Sequence, residues 1–485
     1  MVSVRVGKKL EEAYLTVYLA LIMGVLVSFM LTFLNIARLS AARLKADCAV
    51  DASGNGVLSE YNRELLKRYD LLFIETGYGS ANHSEANTEE RFREYMRENY
   101  ELTLRDHLQG TMDFSGMSLE SVTMSECAFA ADNNCEVLKR QVVDYMKNTI
   151  DGGITVKLTE SLDFMDSHKI RETDPESEWR KNQDFLNRVG PYEKRGEDGE
   201  VVERVYLKNP AAAAFLKLGK PVLTLAPPKH GISSKSADTA KCISHNGSRH
   251  SGAGLSAEER AGSPECSKLL FIQYMFKKLG CYGAKKEGSA LDYELEYVLN
   301  GLDSDEENLE AVCSVLFGWR FAANWLYIMN DSEKKGIAEA AAAVVAIVTF
   351  CPDLKEPLEN SILFAWSFIE SIQDMKALLA GGRVPLMKNS DTWQTSVKNI
   401  AGSLGEAKDC GSGLTYVEYL GIMFLISDYD KSVMRTMDVM EMNVRLTPGN
   451  ENFRMDWCMD SFKVLVNSYS GPGKSIGITR RFGYF

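Results

Sequence analysis

Residues 13–37 read AYLTVYLALIMGVLVSFMLTFLNIA, an unbroken run without a charged side chain. As a helix rising about 1.5 Å per residue, the run measures roughly 38 Å against a hydrocarbon core of about 30 Å. It predicts one tilted transmembrane helix. Lys8 and Lys9 precede it and Arg38 and Arg43 follow it, which argues against a helix buried in a soluble core. A cleaved secretory signal would carry an apolar stretch of only about 7–15 residues and end at small residues. Here the stretch is longer and arginines stand at its exit. A short head is poor export cargo, whereas long domains translocate largely regardless of charge. The expectation is therefore residues 1–12 cytoplasmic, 13–37 spanning, and the body extracytoplasmic on a single-pass anchor, with the lipid bilayer as first partner.

The rest of the chain is globular in composition. Of 485 residues, 45% are hydrophobic and 25% charged, with a net charge of −12. Arg5, Lys8, Lys9, Arg38, Arg43 and Lys45 against Glu11 and Glu12 make residues 1–45 +4, so residues 46–485 carry −16. A body that acidic repels phosphate backbones, and no nucleic-acid partner is expected. The ten cysteines are scattered with no C-x-x-C pair, so isolated buried thiols are the default, and Cys127 with Cys135 is the one close pair worth testing as a disulfide. His245 and His250 lie in a Gly/Ser-rich stretch beside Cys242, read as a mobile surface loop and not as a metal site. No metal and no cofactor is expected.

Periodicity gives an α+β, helix-dominated chain. Leu39, Ala42, Ala46, Ala49 and Val50 continue the anchor helix on one face, with Gly54 and Gly56 as candidate breaks. Leu71–Ile74 reads as a buried strand, 87–106 as a charged surface helix, 117–124 as an alternating strand, and 134–150 and 175–189 as helices. Residues 190–263, rich in Gly, Ser, Lys and Pro, read as a linker or insertion, with a short helix at 211–218. They separate an α+β region over 38–189 from a mainly helical region over 264–485. Helices are expected there at 292–300, 308–329, 336–351, 358–379 and 431–445, and one to 426 from a capping box of Thr415 and Glu418. The run 340–351 is too short to be a second span. Alternation over 462–467 and a turn at Gly471-Pro472-Gly473 give a closing β-hairpin.

Few residues suggest chemistry. Gly471 to Ser475 imitates the end of a phosphate-binding loop, but Ser468 stands where that motif needs glycine, so a hairpin turn is the reading. Glu370 and Asp374 share a helix face one turn beyond Trp366. They are either an acid–base or cation-binding pair, or acceptors for buried partners such as Arg320 and Lys388. Glu294 and Glu296 read as helix-entry charges or internal ion pairs. Asp303, Asp305, Glu306 and Glu307 read as a solvated loop leading into a helix, and Met434, Met437, Met440 and Met442 as core packing. No Ser, Cys or Thr has an evident base and orienting group, so no catalytic residue is assigned. At the other end, Gly7-Lys8-Lys9-Leu10-Glu11-Glu12 before an apolar helix fits a prepilin layout, with cleavage after Gly7, a new N-terminus at Lys8, and Glu12 fifth in the mature chain.

Several stretches resemble a bacterial family of unknown function found beside tight-adherence (Tad) pilus genes, whose N-termini look like those of TadE-type pseudopilins. They are LTVYLALIMGVLVSFMLTFLNIARLSAARLKADCAVD, EYNRELLKRYDLLFIETGYG, LDYELEYVLNGLDSDEENL, FGWRFAANWLYI, FAWSFIESIQDMKALLAGGRVPLMK, YVEYLGIMFL and the tail. The resemblance skips about 190–265, and only residues 13–50 compare with the smaller TadE-type proteins. It implies a non-enzymatic, envelope-associated structural or assembly component whose partners are other pilin-like or Tad assembly proteins. The alternative is a membrane-tethered enzyme or binding module using the Glu370/Asp374 region.

Overall fold

In the computed structural model, the described residues are all those outside 1, 101–116, 148–152, 178, 181–185, 187–191, 196–199, 206–213, 215–216, 218–219, 230, 246, 256–263, 349–351, 398–404, 471–474 and 485. Only the backbone is described at 2–13, 153–155, 192–195, 202–205, 264–266 and 352. The protein is α+β and helix-dominated, and its contacts divide it into two units. One comprises Met1–Leu138, His250–Arg260 and Gly449–Phe485, and the other Lys139–Arg249 and Ala261–Pro448. This division differs from a simple boundary at 190–263, because the last strands join the first helices.

The first unit opens on α1 (Val2–Leu58), followed by α2 (Arg63–Tyr69), β1 (Ile74–Glu75), α3 (Glu85–Tyr100) and β2 (Met117–Phe129). It closes with β3 (Cys458–Ser470) and β4 (Ser475–Gly483). Every residue of α1 from Tyr14 to Arg38 is exposed, and its most apolar window has mean hydropathy 2.5 and is 0% buried. Beyond Leu39 the same helix buries Ala42, Ala46, Ala49, Val50 and Val57 in the unit's core. Gly54 and Gly56 do not break it. Gly54 is there for proximity, since a Cβ would lie 2.3 Å from the Phe482 ring. β3 is the central strand. It pairs antiparallel with β2 along one edge (Met124 opposite Val464) and with β4 and β1 along the other (Val466 opposite Ile478, Ile74 opposite Met459). The expected closing hairpin is thus present, while its turn at 471–474 lies outside the described residues. The strand expected at Leu71–Ile74 shrinks to Ile74–Glu75, because the Phe73 carbonyl accepts from the Asn62 amide instead of joining the ladder.

The Gly/Ser-rich stretch holding His250 is docked rather than a free surface loop. Asp132, which opens α4 (Asp132–Lys147), accepts from the amides of Gly252 at 2.6 Å and Gly254 at 3.0 Å, and His250 stacks on Trp457 at 3.6 Å. A Cβ on Gly252 would sit 2.2 Å from the Cys127 carbonyl, so only glycine allows that approach. Cys127 and Cys135 are both buried free thiols, not a disulfide.

The second unit is built from α5 (Gly153–Ser167), a ribbon of Tyr192–Arg195 with Val201–Val205, α6 (Val222–Leu225), α7 (Pro264–Lys278), α8 (Glu294–Asn300), α9 (Asp305–Asn330), α10 (Ser332–Val348), α11 (Lys355–Leu379), α12 (Tyr416–Ile426) and α13 (Tyr429–Arg445). The helices expected at 175–189 and 211–218 lie largely outside the described residues. α9 is long and apolar enough to cross a membrane, but 61% of its apolar window is buried. Its Phe317 and Phe321 meet Phe364 and Phe368 of α11 with ring centroids 5.1–5.7 Å apart, which makes it a core helix. Local capping fixes the starts: Ser304 accepts from Glu307 N, and Thr415 with Glu418 forms the full capping box. Met437 and Met440 are core residues, with Met434 and Met442 half-buried.

Candidate functional site

Among the described residues, a concentrated set of buried charges lies between α9 and α11. Arg320 on α9 faces Asp374 on α11, and Glu370 stands one turn earlier on the same α11 face. Arg320 Nε and Nη2 reach Asp374 Oδ2 at 3.0 and 2.9 Å. Its Nη1 donates to the carbonyls of Pro385 and Leu386, each at 2.8 Å. Lys388 forms ion pairs with Glu370 and with Asp374 Oδ1, the latter at 2.6 Å. Glu370 also accepts from the amides of Gln394 and Thr395 at 2.9 Å and from the Thr395 hydroxyl at 2.6 Å. Trp366 Nε1 donates to that hydroxyl at 3.0 Å, so Trp366 joins Glu370 through Thr395. Glu370, Asp374, Arg320, Lys388 and Trp366 are thereby brought into one network.

Its electrostatics are closed. Two cations balance two carboxylates, and both Arg320 and Asp374 are almost without solvent contact, at 1% and 0% exposure. Burial works against the Arg320 charge, but Tyr419 and Asp374 more than offset it and raise the guanidinium pKa. Asn324, one turn after Arg320, donates to Asp374 Oδ2 at 2.9 Å and to Ser371 at 3.0 Å. Glu370 and Asp374 Oδ2 are thus hydrogen-bonded by chain donors, while Asp374 Oδ1 makes no hydrogen bond among the described residues and is held by the Lys388 ion pair alone. The arrangement ties the irregular segment 383–395 onto two helices by satisfying backbone groups that would otherwise be buried unpaired. Asn324 could be read from its spacing to Arg320. Nothing local marks Thr395 or the Pro385 and Leu386 carbonyls.

Other acidic groups also serve the backbone. Asp305, expected in a solvated loop, is fully buried and accepts from the amides of Asp292 and Tyr293 at 2.9 and 3.1 Å. Glu294 accepts from Gly280 N at 2.6 Å and from the Asn443 amide group. Glu296 uses Oε1 for Tyr282 N at 2.9 Å and the Tyr416 hydroxyl at 2.8 Å, while its buried Oε2 has no hydrogen-bond partner. Burial pushes the Glu296 carboxyl up to about 7, against the lowering effect of those two donors. A raised carboxyl pKa favours the folded state below the unfolded value, and that advantage is lost as pH climbs through the folded one. From an ordinary value of 4.5 to about 7, the loss is roughly 3 kcal/mol. Glu296→Gln is expected to remove that slope. The stability of the wild type relative to the variant should fall by this amount between pH 4 and 8, whatever their offset, and parallel profiles would refute the assignment.

A serine, a histidine and an aspartate also meet in this unit. Ser244 donates to Asp438 Oδ2, and its hydroxyl lies 3.0 Å from His245 Nδ1. In a nucleophile triad the carboxylate orients the imidazole. Here Asp438 takes the serine hydroxyl itself, together with the Ser244 amide at 3.0 Å and the Tyr297 hydroxyl at 3.1 Å, so it holds a loop against α13. Among the described residues, no group of three or more His, Cys, Asp or Glu is gathered to hold a metal. Gly7, Lys8 and Glu12 fall within the α1 backbone, and their side chains lie outside the described ones.

A cavity of about 680 Å³ opens elsewhere in the second unit, among α4, α5, α7, α8 and the start of α12, and the charged network does not line it.

Comparison with curated proteins and with solved structures finds no match. A family of unknown function, DUF5702, matches residues 202–468, beginning inside the stretch read as linker and running through the charged network to β3. That match covers more than half of the chain, and the protein is a member of this family.

Proposed function

We propose that the protein is a non-catalytic structural or assembly component of a Tad-like pilus or cell-envelope system, anchored by α1 with its body outside the cytoplasm. The observation that carries this reading is the character of α1. Its 14–38 stretch is uncharged but for Arg38, predominantly apolar and exposed throughout, and the same uninterrupted helix then packs into the first unit's core. A helix of that kind loses apolar exposure by entering a bilayer or by packing against like helices, and it transmits its direction to the folded unit without a linker. The bilayer and other pilin-like or Tad assembly proteins are the partners this implies. The charge of −16 over residues 46–485 speaks against nucleic acid. The alternative of an enzyme at Glu370 and Asp374 loses support because donors within the chain already engage both carboxylates.

The test is carbonate extraction and protease digestion of intact cells, followed by intact mass and N-terminal sequencing of the membrane-extracted protein. Retention in the membrane and digestion of the body from outside are expected. Release by carbonate, or digestion only after lysis, would sink the anchored reading. A start at Lys8 would add prepilin-type processing before Glu12, and a start at Met1 would remove that element.

A further inference from the structure

The cavity of about 680 Å³ is of the size that encloses a small ligand, and its construction is divided. Its floor is apolar and buried, with Ile272, Leu279 and Leu295 each at 3% exposure or less. Its mouth is cationic and open to water, with Lys157, Lys277 and Lys286 all exposed. One carboxylate, Glu418, lies among them, and it is already engaged by Lys157 at 2.5 Å and by the Thr415 amide at 2.8 Å. Lys277 sits over the Tyr145 ring at 4.8 Å, and Lys286 donates to the Lys277 carbonyl at 3.3 Å. Neither contact neutralises a charge. Among the described residues, no ion pair is thus seen for these two cations at the lip of an apolar hole.

We propose that this cavity binds a single-chain amphiphile with an anionic head, its aliphatic tail on the Ile272–Leu279–Leu295 floor and its head between Lys277 and Lys286. The tail gains by leaving water, and the head gains charge-assisted hydrogen bonds from the Lys277 and Lys286 ammonium groups. A neutral alcohol of the same length would gain the first and not the second.

The experiment titrates the full-length protein in zwitterionic lipid nanodiscs with decanoate, decyl phosphate and decanol, subtracting uptake by empty discs. Both anions are expected to bind about tenfold more tightly than decanol. Lys277→Gln with Lys286→Gln should abolish that difference and leave decanol binding unchanged. Val417→Trp, at a half-buried lining position, should weaken all three. A preference between the two anions names the head group. Equal binding of decanol and the anions, survival of the anion preference in the double variant, or no saturable binding would each overturn the proposal.

Discussion

Arg320→Leu is expected to cost the second unit about 3–5 kcal/mol, the cost of breaking a buried ion pair from one side. The leucine leaves Asp374 Oδ2 with Asn324 as its remaining donor in a site at 0% exposure, and strips the Pro385 and Leu386 carbonyls of the guanidinium that serves them. Arg320→Lys should recover only part of the loss. A single ammonium cannot serve a carboxylate and two carbonyls in the plane that a guanidinium spans. Trp179, Trp319, Trp325, Trp366 and Trp393 all lie in this unit, so tryptophan fluorescence during denaturation reads its unfolding. A shift below about 0.5 kcal/mol, the range of ordinary surface substitutions, would show that the network does not staple the 383–395 segment. The same variant separates the network from an active site, since a catalytic pair would lose turnover while keeping its fold.

Phe92→Ala is expected to cost the first unit about 3–5 kcal/mol, the range for emptying a buried phenylalanine site. Phe92 on α3 has no exposure, and its ring meets Phe462 of β3 at 6.4 Å and Phe482 of β4 at 6.2 Å. It thus holds the helical layer to the central strand and to the hairpin at once. Hydrogen exchange of the β3 amides between Phe462 and Val466 should accelerate strongly, while amides of α9 and α11 should keep their rates. Phe92→Leu should show a smaller effect of the same kind. Unchanged β3 exchange in Phe92→Ala would mean that α3 is not needed to hold the sheet.

The sequence reading succeeds where the deciding physics is local. The capping box of Thr415 and Glu418 and the Arg320-compatible spacing of Glu370 and Asp374 are contained within a few residues. So is the apolar run of α1. The reading fails where partners are distant. Gly252 and Gly254 look like punctuation of a loose loop, yet they let the backbone come close to Cys127 and Asp132. Asp305 looks like one more exposed acid in a charged run, and it is instead the buried acceptor for two amides of a neighbouring turn. In both cases the residue type is chosen by a backbone group far along the chain, and no local pattern records it. The division into units is hidden for the same reason, because composition shows a change of texture at 190–263 but not which strands pair.

The position of β3 in the sheet sets an order of events during synthesis. Phe129 ends β2 and Cys458 begins β3, 329 positions later. At about 5–20 residues per second, β2 and the apolar side of α1 wait roughly 15–65 s for the strand that completes them. Throughout that interval they present an unpaired strand edge and an uncovered hydrophobic face, the features that chaperones hold and proteases find. A polypeptide released before Cys458 never closes the sheet. The last strands therefore act as a seal on the first unit, so that a stable first unit exists only when translation has passed Gly483.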